Sequence, residues 1–495
     1  MPHRKSVYQQ VKEQLKPAFL AVLLAGILWV PLLEFTPLST RAQLEVQDNL
    51  TYSLPFQRLF GLLFPDLGGF HEWVVYSGAV VFLLSLLAIL ALRREYMSNF
   101  WIALLLGSLL FATLTQLELF QFLARLPGMS LLRVPSRSLF LFGMSLAALS
   151  ACAVDRLLGD NDWQSLQNSR RLILGLCGFV GILLAGLRLV SGNLPLEFLW
   201  GGLLLLAGCL WVWLRMNQRI SGFLWFAVLM GLCLLDWGVM DRSLFTMRSR
   251  SEVLEEGEQV AAEFSGTPGE YRIYSPSYSL PQQTAALHSL QLADGVDPLQ
   301  LRAYVDFMER ASGVPVNGYS VTLPPFESGE PHSENATFSP NAGLLGWLNV
   351  RYVASDFDLH SEGLVLRKLV GGTRLYENQQ VMPRLWIQPL ETATGDNFQP
   401  LNAVQWSPER IEVDAAGPGL LVLSEVMYPG WRVQVDGSPA TILKAAGLLR
   451  SVNLPAGSHN VVFYFRPVSL YVGASLSLAG LVLACLLYRR FTRNA

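Results

Sequence analysis

The residues best suited to chemistry are charged side chains that lie next to long apolar segments. Arg133 and Arg137 occur in the sequence Arg133-Val134-Pro135-Ser136-Arg137. Two guanidinium groups at this spacing can each donate paired hydrogen bonds to a phosphate, so this turn is a candidate site for a lipid-linked phosphate. Two alternatives remain open, namely ordinary lipid headgroup binding and a structural pair with an acidic loop residue.

Two carboxylates are candidates for acid–base catalysis. Asp66 lies in the loop after the first apolar run, where an acid or base would be needed. Glu34 follows that run directly, and an ionisable residue at membrane depth is a functional candidate. The simpler interpretation of Glu34, which we favour, is that it reaches interfacial water just past Leu33. We interpret Asp236, near the end of a later run, in the same way.

Other chemical classes find little support in the sequence. The six histidines lack the spacing of a metal site, and phosphate-binding Gly-x-x-x-x-Gly-Lys and Gly-x-Ser-x-Gly motifs are absent. The formal net charge of −2 and the lack of a basic stripe argue against nucleic acid as a partner. We therefore predict no cofactor, no metal and no nucleic-acid partner.

The elements that position these residues are long apolar runs without charged residues. Each has about the 20 residues needed to cross the hydrocarbon core, and so many runs cannot all be buried by so little polar sequence. We predict eight transmembrane helices. The runs are Pro17–Leu33, Trp73–Leu92, Tyr96–Leu117, Ser138–Val154, Leu172–Leu187, Phe198–Leu214, Ile220–Leu235 and Pro467–Tyr488.

The distribution of Lys and Arg in the short loops predicts the orientation. Placing both termini in the cytoplasm puts most of these basic residues inside, whereas the inverted topology would put most of them outside. The stretch from Asp241 to Arg466 then lies outside. We predict a multi-pass protein of the bacterial cytoplasmic membrane, in contact with membrane lipids, that carries a large extracytoplasmic domain.

The predicted extracytoplasmic region contains both helices and strands. Ser251–Phe264 and Leu299–Ala311 have helical patterns, and Gly371-Gly372 suits the turn of a β-hairpin. Five short strands separated by Gly and Pro follow, and they are typical of a small antiparallel sandwich. These strands are predicted at Leu420–Met427, Trp431–Val435, Ala440–Lys444, Leu448–Leu454 and Asn460–Phe465.

The predicted fold class is an integral membrane α-helical bundle of about eight transmembrane helices with an extracytoplasmic α+β region that ends in a small antiparallel β-sandwich. The four tryptophans of this region are expected to pack in its core rather than to stack on sugars. They are Trp347, Trp386, Trp406 and Trp431. The predicted segments are 1–16 (basic N-terminus), 17–240 (seven helices), 241–410 (mixed α/β), 411–466 (sandwich), 467–488 (last helix) and 489–495 (cytoplasmic tail).

Several short motifs in order resemble the YfhO family of bacterial membrane proteins, mainly its C-terminal portion. They include Tyr428-Pro429-Gly430-Trp431, Asp436-Gly437, Leu454-Pro455-Ala456-Gly457-Ser458-His459, Phe465-Arg466-Pro467, Gly473, Leu348-Asn349-Val350-Arg351-Tyr352-Val353, Tyr376-Glu377-Asn378, Met382-Pro383-Arg384, Phe64-Pro65, Tyr76-Ser77-Gly78 and the turn from Arg133 to Arg137. Pro31-Leu32-Leu33-Glu34 with Ser39 and Arg41 fits the same pattern. Arg41 is therefore a third candidate for substrate binding.

This resemblance implies a relationship to GT-C glycosyltransferases, which transfer a sugar from a polyprenyl-phosphate carrier to an envelope acceptor. YfhO-like proteins are linked with the glycosylation of envelope polymers. Family members usually begin with a further block of helices whose first outer loop carries the acidic residues of catalysis, and we expect this chain to correspond to the C-terminal portion. The alternative is a non-catalytic scaffold or carbohydrate-binding subunit, paired with a membrane protein that carries the acidic loop. A transporter is a third interpretation, against which the few intramembrane charges count.

Overall fold

The computed structural model describes residues 7–44, 48, 50, 52–64, 70–91, 96–114, 117, 134–159, 175, 178–179, 183, 196–244, 247–255, 257–264, 270–326, 328–389 and 398–494. The chain divides into two compact units. One unit comprises Met1–Gln43 with Ser249–Ala495, and the other is Leu44–Arg248.

The helices of the described residues cover most of the predicted apolar runs. Three are long and apolar enough to cross a membrane, namely Pro135–Leu158, Phe198–Met216 and Val468–Arg490, and a fourth span is formed if the bent pair Pro17–Leu24 and Gly26–Leu38 counts as one. Three shorter apolar helices lie at Ala79–Leu90, Ser98–Leu114 and Gly222–Gly238. The predicted run Leu172–Leu187 lies largely outside the described residues. The structure thus supports three or four spans, and the number eight stays a prediction.

The full helix bounds follow, in chain order. The α-helices are α1 Val7–Leu24, α2 Gly26–Phe35, α3 Ala79–Ala91, α4 Tyr96–Leu114, α5 Leu139–Leu158, α6 Leu196–Met216, α7 Gly222–Leu244, α8 Arg250–Glu255, α9 Glu258–Ala262, α10 Gln282–Leu287, α11 Arg302–Ser312, α12 Ala342–Trp347 and α13 Val468–Asn494. The helix predicted at Ser251–Phe264 is divided into α8 and α9, with Gly257 in the left-handed region at the start of α9, a conformation that glycine adopts readily. The helix predicted at Leu299–Ala311 is α11.

The first predicted span is broken between α1 and α2, where it packs against α13. The two helices meet at an angle of 64°. Ser477 of α13 accepts a hydrogen bond from the Ile27 N–H (2.9 Å) and donates one to the Leu24 carbonyl (2.9 Å). Backbone groups at the break are therefore satisfied. A Cβ at Gly26 would lie 2.8 Å from the Cβ of Leu476. Because Gly26 has no side chain, α2 and α13 can approach each other closely at this contact.

The unit Leu44–Arg248 is a helical bundle with its own apolar core, drawn from α3 to α7. Asp236 of α7 is buried within it. Its carboxylate accepts hydrogen bonds from the Tyr76 hydroxyl (2.7 Å) and from the Ala79 N–H at the start of α3 (2.9 Å). The interpretation that Asp236 reaches interfacial water is therefore wrong, because these contacts join α7 to the start of α3.

Two larger sheets organise the rest of the first unit. The strands are β1 Arg272–Tyr274, β2 Gln291–Leu292, β3 Gly295–Val296, β4 Thr322–Leu323, β5 Val350–Ser355, β6 Leu364–Val370, β7 Thr373–Asn378, β8 Leu385–Gln388, β9 Gln399–Pro400, β10 Gln405–Ser407, β11 Arg410–Val426, β12 Trp431–Val435, β13 Ser438–Ala440, β14 Leu443–Ala445 and β15 Leu449–Phe465. The first sheet has the order β2-β1-β5-β7-β6. Strand β1 runs parallel to β2 and β5, whereas β6 and β7 form the predicted hairpin, with Gly371 at φ 58°.

The second sheet has eight strands in the order β13-β12-β15-β11-β8-β9, with β10 on β11 and β14 on β15. The predicted separation of Leu448–Leu454 from Asn460–Phe465 by Pro455-Ala456-Gly457 is wrong, because β15 continues through all three residues. On the neighbouring strand β11, the register of the pairing with β15 shifts between Gly417 and Gly419, which lie across from this segment. An added Cβ at Gly417 would lie 1.9 Å from the Pro455 carbonyl oxygen, so only glycine fits this crossing. The short strands predicted as separate are thus parts of one continuous sheet. This sheet already includes β8, so the β region begins before residue 411, where the sequence predicted its start.

The tryptophans of the first unit differ in their burial. Trp386 of β8 is fully buried, and the ring of Trp347 packs edge-on against it with centroids 5.5 Å apart. Trp431 is half-buried beside Phe465. Trp406 of β10 is 43% exposed, so its predicted place in the core is wrong, since an edge strand leaves one face of the ring open.

Candidate functional site

A cavity of about 390 Å³ lies in the first unit, between the end of α2 and the loop that follows β2. Asp294 and Asp297 line it, together with Gln282 and Tyr304. Phe35, the last residue of α2, closes one side. The cavity therefore combines an apolar wall at the end of a membrane-type helix with a few polar groups, which is the usual composition of a ligand pocket.

The position of Asp294 follows from the sheet. Strands β1 and β2 are parallel, so the residues that follow them meet at the same sheet edge. The carboxyl edge of parallel strands is the usual place for ligands in α/β folds. Ser275 follows β1 and donates its backbone N–H to Asp294 Oδ1 at 2.9 Å. Ala293 connects β2 to Asp294, and its carbonyl accepts a hydrogen bond from the Tyr304 hydroxyl at 2.6 Å.

The environment of Asp294 disfavours its charged form. Burial raises the pKa of Asp294 from an ordinary 3.8 to about 8, and hydrogen bonds from backbone N–H groups offset this only in part. Burial likewise raises the pKa of Tyr304 to about 12, with the Asp294 charge adding to the rise and Arg272 opposing it. A carboxyl that titrates near neutral pH can take up or release a proton during a reaction.

Residues that follow α2 contact residues 293–301, most of which line the cavity and which are called the cavity loop below. The Thr40 N–H donates to the Gln300 carbonyl at 3.0 Å, and Ser39 forms an isolated antiparallel bridge with Leu301. Arg41 donates its Nε–H to the Pro298 carbonyl at 3.3 Å. The cavity is therefore fixed next to the end of the first apolar helix, and Arg41 acts on it by binding its backbone.

The structure places Glu34 near the second sheet. Glu34 Oε1 is buried and, among the described residues, lacks a hydrogen-bond partner. Burial and the Glu34 charge together raise the pKa of Tyr428, and the ring of Tyr428 lies 6.0 Å from that of Phe35. Glu34 as a whole is half-buried, so the interpretation that it reaches interfacial water stays a prediction.

The remaining predicted site residues lie in the other unit. Arg137 forks onto the carboxylate of Glu72, with Nε 3.1 Å from both oxygens and Nη2 2.9 Å from Oε1. This geometry is that of the structural ion pair, one of the alternatives open from the sequence. Arg133 and Asp66 lie outside the described residues.

Sequence reasoning missed Asp294 because a single aspartate in Leu292-Ala293-Asp294-Gly295 is typical of an ordinary turn. The available signal was its position after an apolar segment that pairs in parallel, which only the topology reveals. Within the described ranges there is also no group of three His, Cys, Asp or Glu side chains that could hold a metal ion.

Comparison with known proteins identifies the C-terminal region. Residues 391–477 match the family described as Bacterial membrane protein YfhO. The match confirms the predicted resemblance in the C-terminal portion, where Tyr428-Pro429-Gly430-Trp431 and Gly473 lie. A search of curated proteins and a search of solved structures gave no match.

Proposed function

We propose that this chain, whose C-terminal region matches the YfhO family of bacterial membrane proteins, takes part in the glycosylation of a cell-envelope polymer. It acts as part of a GT-C-type glycosyltransferase that uses a polyprenyl-phosphate-linked sugar. The eight-span topology with cytoplasmic termini belongs to this proposal. It puts the first unit's sheets outside the cytoplasmic membrane, where an envelope acceptor is present.

The observation that carries the proposal is the Asp294 carboxyl in a cavity bordered by Phe35 at the end of α2. A lipid-linked donor stays in the membrane, so its sugar can reach protein groups only near the end of a membrane helix. The contacts of Ser39, Thr40 and Arg41 with the cavity loop hold the carboxyl at that level.

The chemistry of such a transfer needs one base. Asp294 takes the proton from an acceptor hydroxyl as that oxygen forms a bond to C1 of the sugar. The bond from C1 to the phosphate oxygen breaks, and polyprenyl phosphate leaves with the electron pair. With a pKa of about 8, roughly a tenth of the Asp294 carboxyl groups are ionised at pH 7. Each ionised group is a stronger base than a carboxylate with the ordinary pKa of 3.8.

A second candidate function is that of a non-catalytic carbohydrate-binding subunit with a membrane protein partner. A cavity of about 460 Å³ at the edge of the first sheet favours it. Aromatic rings there lie next to charged hydrogen-bonding groups, an arrangement suited to sugars. The cavity is lined by Glu263, Phe264, Tyr271, Tyr352, Arg367, Lys368, Leu375 and Glu377.

The two functions differ in their dependence on Asp294. The gene for the chain is deleted, and the sugar content of purified envelope polymers is measured by mass spectrometry after complementation. We expect wild type and Asp306→Asn, a partly exposed carboxyl outside the cavity lining, to restore the sugar, and Asp294→Asn to reach the membrane without restoring it. Restoration by Asp294→Asn together with failure of Tyr352→Ala would favour the binding subunit, and an unchanged sugar content in the deletion strain would exclude both.

A further inference from the structure

Three arginines from distant parts of the first unit surround one carboxylate. Arg272 Nη2 lies 2.9 Å from Glu425 Oε1, and Arg384 Nη2 lies 2.5 Å from the same oxygen. Arg450 Nη2 lies 3.8 Å from Glu425 Oε2. We call these four side chains the arginine cluster. Its members come from both sheets, since Arg272 begins β1 whereas Arg450 and Glu425 lie in β15 and β11.

The arginine cluster lies at the opposite edge of the first sheet from Asp294. Arg272 and Gln291 are the first residues of the parallel strands β1 and β2, whereas Asp294 follows the last residue of β2. Arg384 joins this edge by donating its Nη1–H to the side-chain oxygen of Gln291 at 2.6 Å. The cluster and Asp294 therefore lie at opposite ends of these short strands, although Arg272 and Glu425 are close enough to affect the pKa of the cavity residue Tyr304.

The charges of the arginine cluster do not balance. Three guanidinium groups face one carboxylate, which leaves a net charge of +2 if all are ionised. Burial lowers the pKa of Arg450 to about 10, and burial together with the neighbouring Arg272 lowers the pKa of Arg384. Buried excess charge of one sign is costly unless it is compensated.

Arg450 is the least satisfied of the three arginines. Its side chain is 4% exposed, and its guanidinium stacks on the ring of Trp431 at 3.6 Å. This stacking occupies one face of the guanidinium and does not involve its N–H groups as hydrogen-bond donors. Within the described residues, Arg450 Nε and Nη1 and also Arg384 Nε lack hydrogen-bond partners. The Nη2 atoms of Arg384 and Arg450 face Glu425, whereas these three donors remain unpaired. Unpaired guanidinium donors next to one another can bind a phosphate in paired fashion.

We propose that the arginine cluster binds the phosphate of a phosphate ester, next to Glu425. Glu425 is 23% exposed, so the cluster opens to solvent on its side, and Trp406 lies at this opening with its ring 5.0 Å from the Arg384 guanidinium. A phosphate with one or two negative charges compensates the excess. The unpartnered N–H groups are buried in the free protein, and they donate to the phosphate once the Glu425 carboxylate moves aside. A purely structural role, in which the cluster joins the two sheets, explains the contacts of Glu425 and leaves the excess charge unexplained.

The test measures thermal unfolding of the full chain in neutral detergent with increasing sodium phosphate, against sodium chloride at equal ionic strength. We expect the unfolding midpoint to rise with phosphate beyond the chloride effect. Arg384→Gln should need at least about tenfold more phosphate for the same rise, since a charge-assisted pair is lost. Glu425→Gln should need less phosphate than wild type, because its competing carboxylate is gone. Arg410→Gln, exposed in the second sheet, is the matched control and should respond as wild type does.

The opposite signs for Arg384→Gln and Glu425→Gln separate ligand binding from folding. A structural cluster predicts that both variants lower the midpoint and that neither changes the response to phosphate; this result would overturn the proposal, as would a wild-type rise no larger than that in chloride. The same unfolding midpoint is then measured with glycerol 3-phosphate in detergent and with phosphatidylglycerol in nanodiscs. A rise with the first indicates a soluble phosphate ester, and a rise with the second alone indicates a lipid headgroup. Binding is read without a sugar donor, so the result does not depend on the proposed glycosyl transfer.

Discussion

Replacing Asp294 by Asn should change how the stability of the protein depends on pH. The pKa of Asp294 is about 8 in the folded state and close to 3.8 when the chain is unfolded. Between these values the folded state keeps the proton that the unfolded state has lost. Stability therefore falls as pH rises through this window, because folding becomes coupled to uptake of a proton.

The size of the effect follows from one proton. A difference of one bound proton changes the free energy of unfolding by about 1.4 kcal/mol per pH unit, so wild type should lose about 2.7 kcal/mol relative to Asp294→Asn between pH 5 and pH 7. This slope holds up to pH 7 for any folded pKa of about 8 or more. The neutral amide keeps the acceptor oxygen for the Ser275 N–H and removes the titration.

The measurement is pulse proteolysis in urea of the detergent-purified chain at pH 5, 6 and 7, which reports the fraction folded at each urea concentration. Asp297→Asn, which replaces an exposed carboxyl of the same cavity loop, is the matched control and should follow wild type. Parallel pH dependences of wild type and Asp294→Asn would refute the reasoning, since Asp294 would then titrate at an ordinary pKa.

Three further changes test the fold. Trp386→Ala should lower the free energy of unfolding by about 3–5 kcal/mol in urea pulse proteolysis, because it empties a fully buried site, and a loss below about 1 kcal/mol would contradict that burial. Gly417→Ala should prevent the pairing of β11 with β15, as the new Cβ would meet the Pro455 carbonyl at 1.9 Å, and wild-type amide exchange in both strands would show that the crossing is looser. A double-mutant cycle of Glu72→Ala and Arg137→Ala should give a coupling of about 1 kcal/mol or less for this exposed pair, and a coupling of about 3 kcal/mol would indicate a buried one.

Local patterns predicted the elements better than their assembly. The Gly371-Gly372 turn between β6 and β7 and the Tyr428-Pro429-Gly430 turn before β12 are determined by residues close in sequence, so both were predictable. The Pro455-Ala456-Gly457 segment also contains Pro and Gly, yet it continues as a strand. The reason lies in a distant part of the sequence, at Gly417, whose missing side chain makes room for the Pro455 carbonyl.

The candidate sites show the same division. Glu34 was noticed because it follows an apolar run, and Arg137 because a second arginine, Arg133, closely precedes it. Arg41 was noticed through the resemblance to the YfhO family. Asp294 becomes a candidate only through the parallel pairing of β1 with β2. This contact joins segments that a helix separates in the chain, and no local pattern determines its register.

The members of the arginine cluster are even more widely separated. Arg272, Arg384, Glu425 and Arg450 are scattered over much of the first unit, and each has an ordinary local context. One signal was available, because Arg450 directly follows the apolar pair Leu448-Leu449 in a strand that continues with Ser451 and Val452. A charge that does not follow the alternation of a strand indicates a buried partner, although the partner itself is found only from the fold.

The central claim, that Asp294 is the base of a glycosyl transfer, is tested most directly by the pH dependence of that transfer. Isolated native membranes are supplied with labelled nucleotide sugars, and label entering the envelope polymer is followed from pH 6 to pH 9 in wild type and in Asp294→Asn. If Asp294 is the base, the wild-type rate rises with pH toward a plateau, with a midpoint near the Asp294 pKa of about 8, and the variant rate is at least about a hundredfold lower. A variant that keeps both the rate and the pH dependence of wild type would contradict the claim.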